Sequence, residues 1–232
     1  MFVYSLIRSG ASFPEIIICV LALILAAGLS IIVHEIAHGF VALKCGDPTA
    51  KLANRLTLNP AVHFDWLGLL MIALVGFGWA RPVPINPNNF KNYKRDLLLV
   101  SSAGVASNIL MGGLGLLILY FAYPFFLVPI SSSATFIMLM LGYYFIMFFI
   151  SINFMLAFFN LLPIYPLDGF RILNIFLKPY NKYSQFMYQY GSFCLLGLVI
   201  LGNVFRAVGL EYLDIFYWAN TLINMLIGAV VG

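Results

Sequence analysis

The sequence predicts an all-α polytopic membrane protein, with about five to six transmembrane helices and a re-entrant or β-like membrane-associated segment near residues 66–90. Three observations lead there. Of the 232 residues 63% are hydrophobic and 9% charged, with a mean hydropathy of +1.01, whereas a soluble domain carries about 25% charged residues and is about half apolar. Apolar runs of membrane-spanning length recur along the chain, separated by short polar or proline-rich breaks. The basic residues fall in those breaks. No polar stretch is long enough for a separate soluble domain, so residues 1–232 read as one membrane-embedded unit.

The first element is the long apolar run from Pro14 to Leu43. Its Ile16–Val33 part holds no charge and is about as long as a helix needs to cross the hydrocarbon core. A polar segment follows, Lys44 to Asp65, with turns at Gly46-Asp47-Pro48 and Asn59-Pro60. Trp66 to Ala80 is apolar but has only 15 residues and holds Gly68, Gly76 and Gly78, which suits a re-entrant or interfacial segment better than a span. In Arg81–Pro87 the prolines at 82, 84 and 87 rule out regular helix and favour extended backbone. A second full span is expected over Leu97–Phe121 and a third over Thr135–Phe159. Two prolines then break the helix in Asn160–Gly169, and two more spans are expected over Gly191–Val208 and Tyr212–Val231.

Charge orients this layout. If residues 66–80 dip in and return, ten of the twelve basic residues, from Lys44 to Lys182, share one side; Arg8 and Arg206 stay on the other. The positive-inside rule makes the first side cytoplasmic, with the N-terminus outside. The net charge of +4 therefore describes topology and is no nucleic-acid signature; no nucleic-acid partner is expected. Cys19, Cys45 and Cys194 show no paired spacing, so neither a disulfide framework nor a thiolate metal site is indicated. Residues 1–10 lack a signal peptide's order of parts.

Near the end of the first run stands His34-Glu35-Ile36-Ala37-His38. A helix places residues four apart on one face, so both imidazoles can aim at one point, which is half of a tetrahedral zinc site. Glu35 is then placed to take a proton from a water held by the metal. Ionisable residues in a span cost about 2.5–3.5 kcal/mol on insertion scales, which favours a functional reading over a structural one. One more protein ligand is needed. Glu211 and Asp214 fall on the far side, Asp47 and Asp65 sit in turns, and Asp96 is explained by its place at a helix start beside Lys94 and Arg95. Asp168 lies in proline-broken apolar backbone at the membrane end that also holds the two histidines, and an aspartate there calls for a cation. An Asp-Gly turn is its rival explanation, and His63 remains an alternative ligand.

These stretches resemble the site-2 protease family of intramembrane zinc metalloproteases, peptidase family M50, in its compact form without a PDZ domain. The likeness rests on His34–His38; on Gly46–Ala50 with Arg55–Pro60; on Gly78–Pro87 continuing to Lys94-Arg95-Asp96; and on Asn160–Pro163 with Pro166–Gly169. It covers about residues 30–173, and the last two spans match only as hydrophobic helices. The resemblance implies one Zn2+ per chain held by His34, His38 and Asp168, Glu35 as catalytic base, and an active site within the membrane near its cytoplasmic face. The implied catalytic core is about residues 14–173, with C-terminal helices over 190–232. Two departures stand out. The family's Gly-Pro-x-x-Asn reads Gly104-Val105-Ala106-Ser107-Asn108, and its Asp-Gly-Gly reads Asp168-Gly169-Phe170.

The function expected is hydrolysis of peptide bonds in transmembrane segments, for regulated proteolysis or turnover. The partners expected are a single-span membrane protein or signal-peptide remnant, and the lipid bilayer of a prokaryotic cell. Asn108 and Asn160 are candidates for substrate or oxyanion contact, Asn108 equally for an interhelical hydrogen bond. Pro82, Val83 and Pro84, in extended backbone, are candidates to pair with an unwound substrate strand. A metal transporter or metal-binding membrane protein is the alternative, but it would need several ligand sets along a pathway where this chain offers one. A zincin with a cytosolic catalytic domain would need a soluble domain and a downstream glutamate ligand, and the chain has neither.

Overall fold

The computed structural model describes residues 10–63, 67, 81–128 and 132–232. The helices are α1 (Phe13–Cys45), α2 (Thr49–Leu52), α3 (Pro60–His63), α4 (Tyr93–Phe126), α5 (Ser133–Leu161), α6 (Asp168–Phe176), α7 (Lys182–Ala207) and α8 (Ile215–Val231), with 3₁₀ turns at Pro87–Asn89 and Glu211–Leu213. No strand is present among the described residues. Four of these helices, α1, α4, α5 and α7, are long and apolar enough to cross a membrane, and α8 is apolar over 17 residues. At 1.5 Å per residue α8 reaches about 25 Å, a little under the ~30 Å hydrocarbon thickness. It is shorter than the sequence suggests because Glu211–Leu213 turn first and Asp214 caps the helix, accepting the Phe216 N–H at 2.9 Å.

The re-entrant reading of residues 66–80 lies outside the described residues, apart from Leu67. The described part of the expected β-like segment, from Arg81 on, is irregular backbone running into the Pro87–Asn89 turn, without strand pairing. The prolines explain this, since Pro82 and Pro84 have no N–H to give a ladder.

Helix α1 starts at Ser12, whose backbone N–H and hydroxyl both donate to Glu15 Oε2 (2.7 and 2.8 Å). It stops at Gly46, in the left-handed region at φ 109°, where glycine carries no Cβ penalty. One row of α1 is buried at every fourth residue: Ala22, Ala26, Ser30, His34, His38 and Ala42. Small side chains along that row let α4 and α5 approach closely. Helices α4 and α5 meet through Gly112 and Gly115, where an added Cβ would stand 3.0 Å from Phe154 and 2.7 Å from Ile150. Gly113 faces open space, so only two of the three glycines of that stretch serve packing. Leu119, Ile150, Ile223 and Ile227 form the core between α4, α5 and α8.

Candidate metal centre

Helix α1 carries both histidines, α4 supplies the floor and α6 the acid. His38 Nδ1 lies 2.7 Å from Val100 O and His34 Nδ1 lies 2.5 Å from Asn108 Oδ1. A carbonyl oxygen only accepts, so each Nδ1 carries a proton, and in the neutral imidazole each Nε2 keeps its lone pair. The two Nε2 atoms are 3.0 Å apart. They lie 3.4 Å (His34) and 3.1 Å (His38) from Asp168 Oδ2, and all three residues are buried.

Asp168 is brought there by the break that the sequence places in Asn160–Gly169. Helix α5 ends at Leu161, and the chain turns back so that Asp168 opens α6. Gly169 presses on the turn: an added Cβ would sit 2.2 Å from Leu161 O and 2.6 Å from Leu162 O. The phenylalanine at 170 leaves that geometry intact. It is 1% exposed and fills an aromatic cluster with Tyr165 and Tyr188, ring centroids 5.7 and 5.1 Å away, which seats α7 on the turn. The second family departure thus trades a glycine for an anchor.

Gly104 of α4 lies under the convergence point. A Cβ there would come within 2.4 Å of His38 Nε2 and 2.7 Å of His34 Nε2. The missing side chain leaves room where three electron-rich atoms meet. With both imidazoles neutral, two lone-pair nitrogens and a carboxylate oxygen in mutual contact repel, and Asp168 Oδ2 is buried without a hydrogen-bond donor. A cation removes that conflict. Four ligands at about 2.0–2.1 Å from a tetrahedral zinc stand about 3.3–3.4 Å from one another. The observed 3.0–3.4 Å fits, and three protein ligands leave a fourth position open, as in catalytic sites.

Glu35 follows His34 and is half-buried; its Oε2 accepts the Val83 N–H at 2.7 Å. The Val83 segment is itself held by Asp47. One oxygen of Asp47 accepts from Thr49 N, Thr49 Oγ1 and Asn89 Nδ2 (3.1, 2.5 and 2.8 Å), and the other accepts from Asn86 N (2.7 Å). Burial alone would push the Asp47 carboxyl up, but the hydrogen bonds from Thr49, Asn89 and Asn86 outweigh it and hold it below the usual carboxylate range. The turn reading of Asp47 is therefore half the account, because it also fixes the segment that steers Glu35. Asp96 caps the start of α4 as the sequence suggests, accepting from Asn92 N and Arg95 Nε, both at 2.8 Å.

His63 does not join the centre. It is buried with Nε2 on Thr57 O at 2.7 Å, and among the described residues His34, His38 and Asp168 form the one three-ligand group. Asn160 Nδ2 bonds Leu156 O in its own helix at 3.0 Å. Pro82 is exposed, Pro84 half-buried and Val83 buried. Asn108 is fully buried, and its Nδ2 donates to Asn153 Oδ1 at 2.8 Å. Asn153 and Ser30, which bonds it, were not singled out from the sequence. Both carried a signal: Ser30 precedes His34 by one i, i+4 step, and Asn153 is an amide inside an aromatic-rich span.

A family model described as peptidase family M50 matches residues 22–198, which takes in the histidines, Asn108, Asn153, Asp168 and the first part of α7. The chain belongs to peptidase family M50. A protein of Bacillus subtilis (strain 168), named "Putative zinc metalloprotease YwhC", is 42% identical over 159 residues, 68% of this chain and 69% of that protein. No solved structure shows a significant match. The M50 match runs beyond residue 173 into α7, where Gly191 packs on Tyr165, an added Cβ standing 2.6 Å from its carbonyl oxygen.

Proposed function

We propose that this M50 chain is an intramembrane zinc endopeptidase that cuts single-span membrane proteins or signal-peptide remnants. The observation that carries the reading is the meeting of His34 Nε2, His38 Nε2 and Asp168 Oδ2 within 3.0–3.4 Å of one another, beside Glu35, in a bundle of membrane-length helices. His34, His38 and Asp168 would hold the zinc. When bound, zinc polarises the scissile carbonyl and acidifies the attacking water.

The chain's own residues do the rest. Glu35 takes the proton of the attacking water and delivers it to the leaving nitrogen as the C–N bond breaks. Val83 N–H fixes one carboxylate oxygen of Glu35, which aims the base before substrate arrives. Val100 O and Asn108 hold the imidazoles with Nε2 inward. The substrate helix hides its carbonyls in its own hydrogen bonds and must unwind before attack. Residues 82–86 are proposed to receive the unwound strand. The prolines there offer no N–H, Val83 spends its own on Glu35 and Asn86 on Asp47, so pairing rests on carbonyl oxygens and the Ile85 N–H.

The charge distribution supports a cytoplasmic site, because Lys44, Lys91, Lys94, Arg95, Arg171 and Lys182 flank the helix ends that gather around it. With α8 as a fifth crossing and residues 66–80 re-entrant, one membrane-embedded domain in a prokaryotic cell membrane accounts for the whole sequence. The transport alternative lacks a second ligand set among the described residues. Photocrosslinking from Pro82, Pro84 and Ile85 to a model single-span substrate tests the docking step. The expected result is a crosslink beside the scissile bond, and its absence with cleavage intact would refute that step.

A further inference from the structure

Behind His34 runs a buried chain of hydrogen bonds that joins three helices. Asn108 Oδ1 is 2.5 Å from His34 Nδ1, and Asn108 Nδ2 donates to Asn153 Oδ1 at 2.8 Å. Asn153 Nδ2 donates to both Ser30 Oγ and Phe149 O, each at 2.8 Å, and Ser30 Oγ donates to Ala26 O at 2.7 Å. Ser30, Asn108 and Asn153 are all 0% exposed, so no water competes for these bonds.

The chain has one permitted direction, and backbone sets it. The Phe149 carbonyl can only accept, so the Asn153 atom facing it must be the amide nitrogen. That leaves the Asn153 oxygen toward Asn108, which obliges Asn108 to present its own nitrogen there and its oxygen to His34. His34 must then carry a proton on Nδ1, and in the neutral imidazole Nε2 is left with a lone pair toward Asp168. Rotating either amide would set acceptor against acceptor or donor against donor in a dry interior, at a cost of about 1–3 kcal/mol per unmatched group. His38 needs no such relay, since its Nδ1 meets the Val100 carbonyl directly.

We propose that Asn153 is a positioning residue for the metal ligand His34, fixing the imidazole's tautomer and direction through Asn108. The proposal rests on the metal-centre reading above, and Asn153 itself touches neither metal ligands nor substrate. Loss of an outer-shell partner of a metal-bound histidine typically lowers metal affinity or activity about 10–100-fold.

The test uses Asn153→Leu, which keeps the volume and removes the amide, in the full-length protein in detergent. Zinc affinity is measured by chelator competition, and the His34 tautomer by ¹⁵N NMR on zinc-free protein. The proposal expects zinc to bind about 10–100-fold more weakly and the zinc-free imidazole to lose its uniform Nδ1–H form. In an Asn108→Asp background, the carboxylate accepts from His34 at either oxygen and needs no orientation, so Asn153→Leu should then cost less than about threefold, coupling being expected only between linked groups. Unchanged zinc affinity in Asn153→Leu, or an equal loss in both backgrounds, overturns the proposal. If Asn153→Leu fails to fold, Asn153→Ser replaces it with the same readouts. A wild-type protein that binds no zinc refutes the metal reading instead. In that case the tautomer still decides here, and a wild-type His34 protonated on Nε2 overturns the relay.

Discussion

Gly104 makes the sharpest single prediction, because its missing side chain is what lets His34 Nε2, His38 Nε2 and Asp168 Oδ2 meet. In Gly104→Ala the new Cβ would stand 2.4 Å from His38 Nε2, 2.5 Å from His34 Cε1 and 2.7 Å from His34 Nε2. Ordinary contact between such atoms lies near 3.5–4.0 Å, so something must retreat by about 1 Å. The rings cannot swing freely, since Asn108 and Val100 pin each Nδ1 at 2.5 and 2.7 Å. Overpacking of this kind costs about 1–3 kcal/mol, and at ~1.4 kcal/mol per decade zinc should bind about 5–150-fold more weakly. A reacting geometry displaced by about 1 Å loses a further ~100-fold in rate. Chelator competition reads the first effect and cleavage of a single-span substrate the second. Gly113→Ala is the control, because nothing lies within 4 Å of its Cβ; it should keep both properties and gain slightly from helix propensity. Wild-type zinc affinity and turnover in Gly104→Ala would refute the convergence of the two imidazoles over this glycine.

Other predictions follow from the supports of the site. Asp47→Asn should leave zinc content near wild type but lower cleavage at least about tenfold, from the ~1.5–3 kcal/mol of a hydrogen bond to a charged acceptor; limited proteolysis should find residues 82–89 newly exposed, and unchanged activity would dissociate that segment from Glu35. The Asp47 carboxyl is depressed in the folded chain, so its contribution is complete above the ordinary aspartate value near 3.9 and fades only as pH falls through the lower folded value. Proteolysis of the segment should therefore stay at its neutral-pH level down to about pH 4, and early opening at pH 5–6 would contradict the clamp. Phe170→Ala empties the cluster with Tyr165 and Tyr188 and should cost about 3–5 kcal/mol, read as a lower unfolding temperature, whereas Phe170→Tyr should cost far less. Gly169→Ala meets backbone on its crowded side and should fail to accumulate as folded protein, while a stable Gly169→Ala that binds zinc would show that the turn can shift.

How much of this was legible in the sequence depends on whether each contact follows from local period or from tertiary approach. The pairing of His34 with His38 follows from helix geometry alone, and Asp168 could be reached by excluding acids at other membrane ends and in turns. The long spans were legible from hydropathy, with errors at their ends: α7 starts at Lys182 rather than Gly191 because Asn181 caps it through the Ser184 N–H. The reach of Asp47 to Asn86 and Asn89 was not legible, since a turn aspartate looks the same whether or not a distant loop docks on it. Asn153 was equally hidden, because its meaning lies in which carbonyl and which amide it meets across α1, α4 and α5. The row Ala22, Ala26, Ser30, His34, His38 and Ala42 does carry a sequence pattern of small residues around the two histidines, and it points to the face that the other helices must cover.

The most direct test of the central claim is substrate cleavage and zinc content measured together on purified wild type, Glu35→Gln and Asp168→Asn. The account predicts that wild type binds one zinc and cuts, Glu35→Gln keeps its zinc but does not cut, and Asp168→Asn loses the metal. Cleavage by Glu35→Gln at the wild-type rate, or full zinc retention in Asp168→Asn, would contradict it.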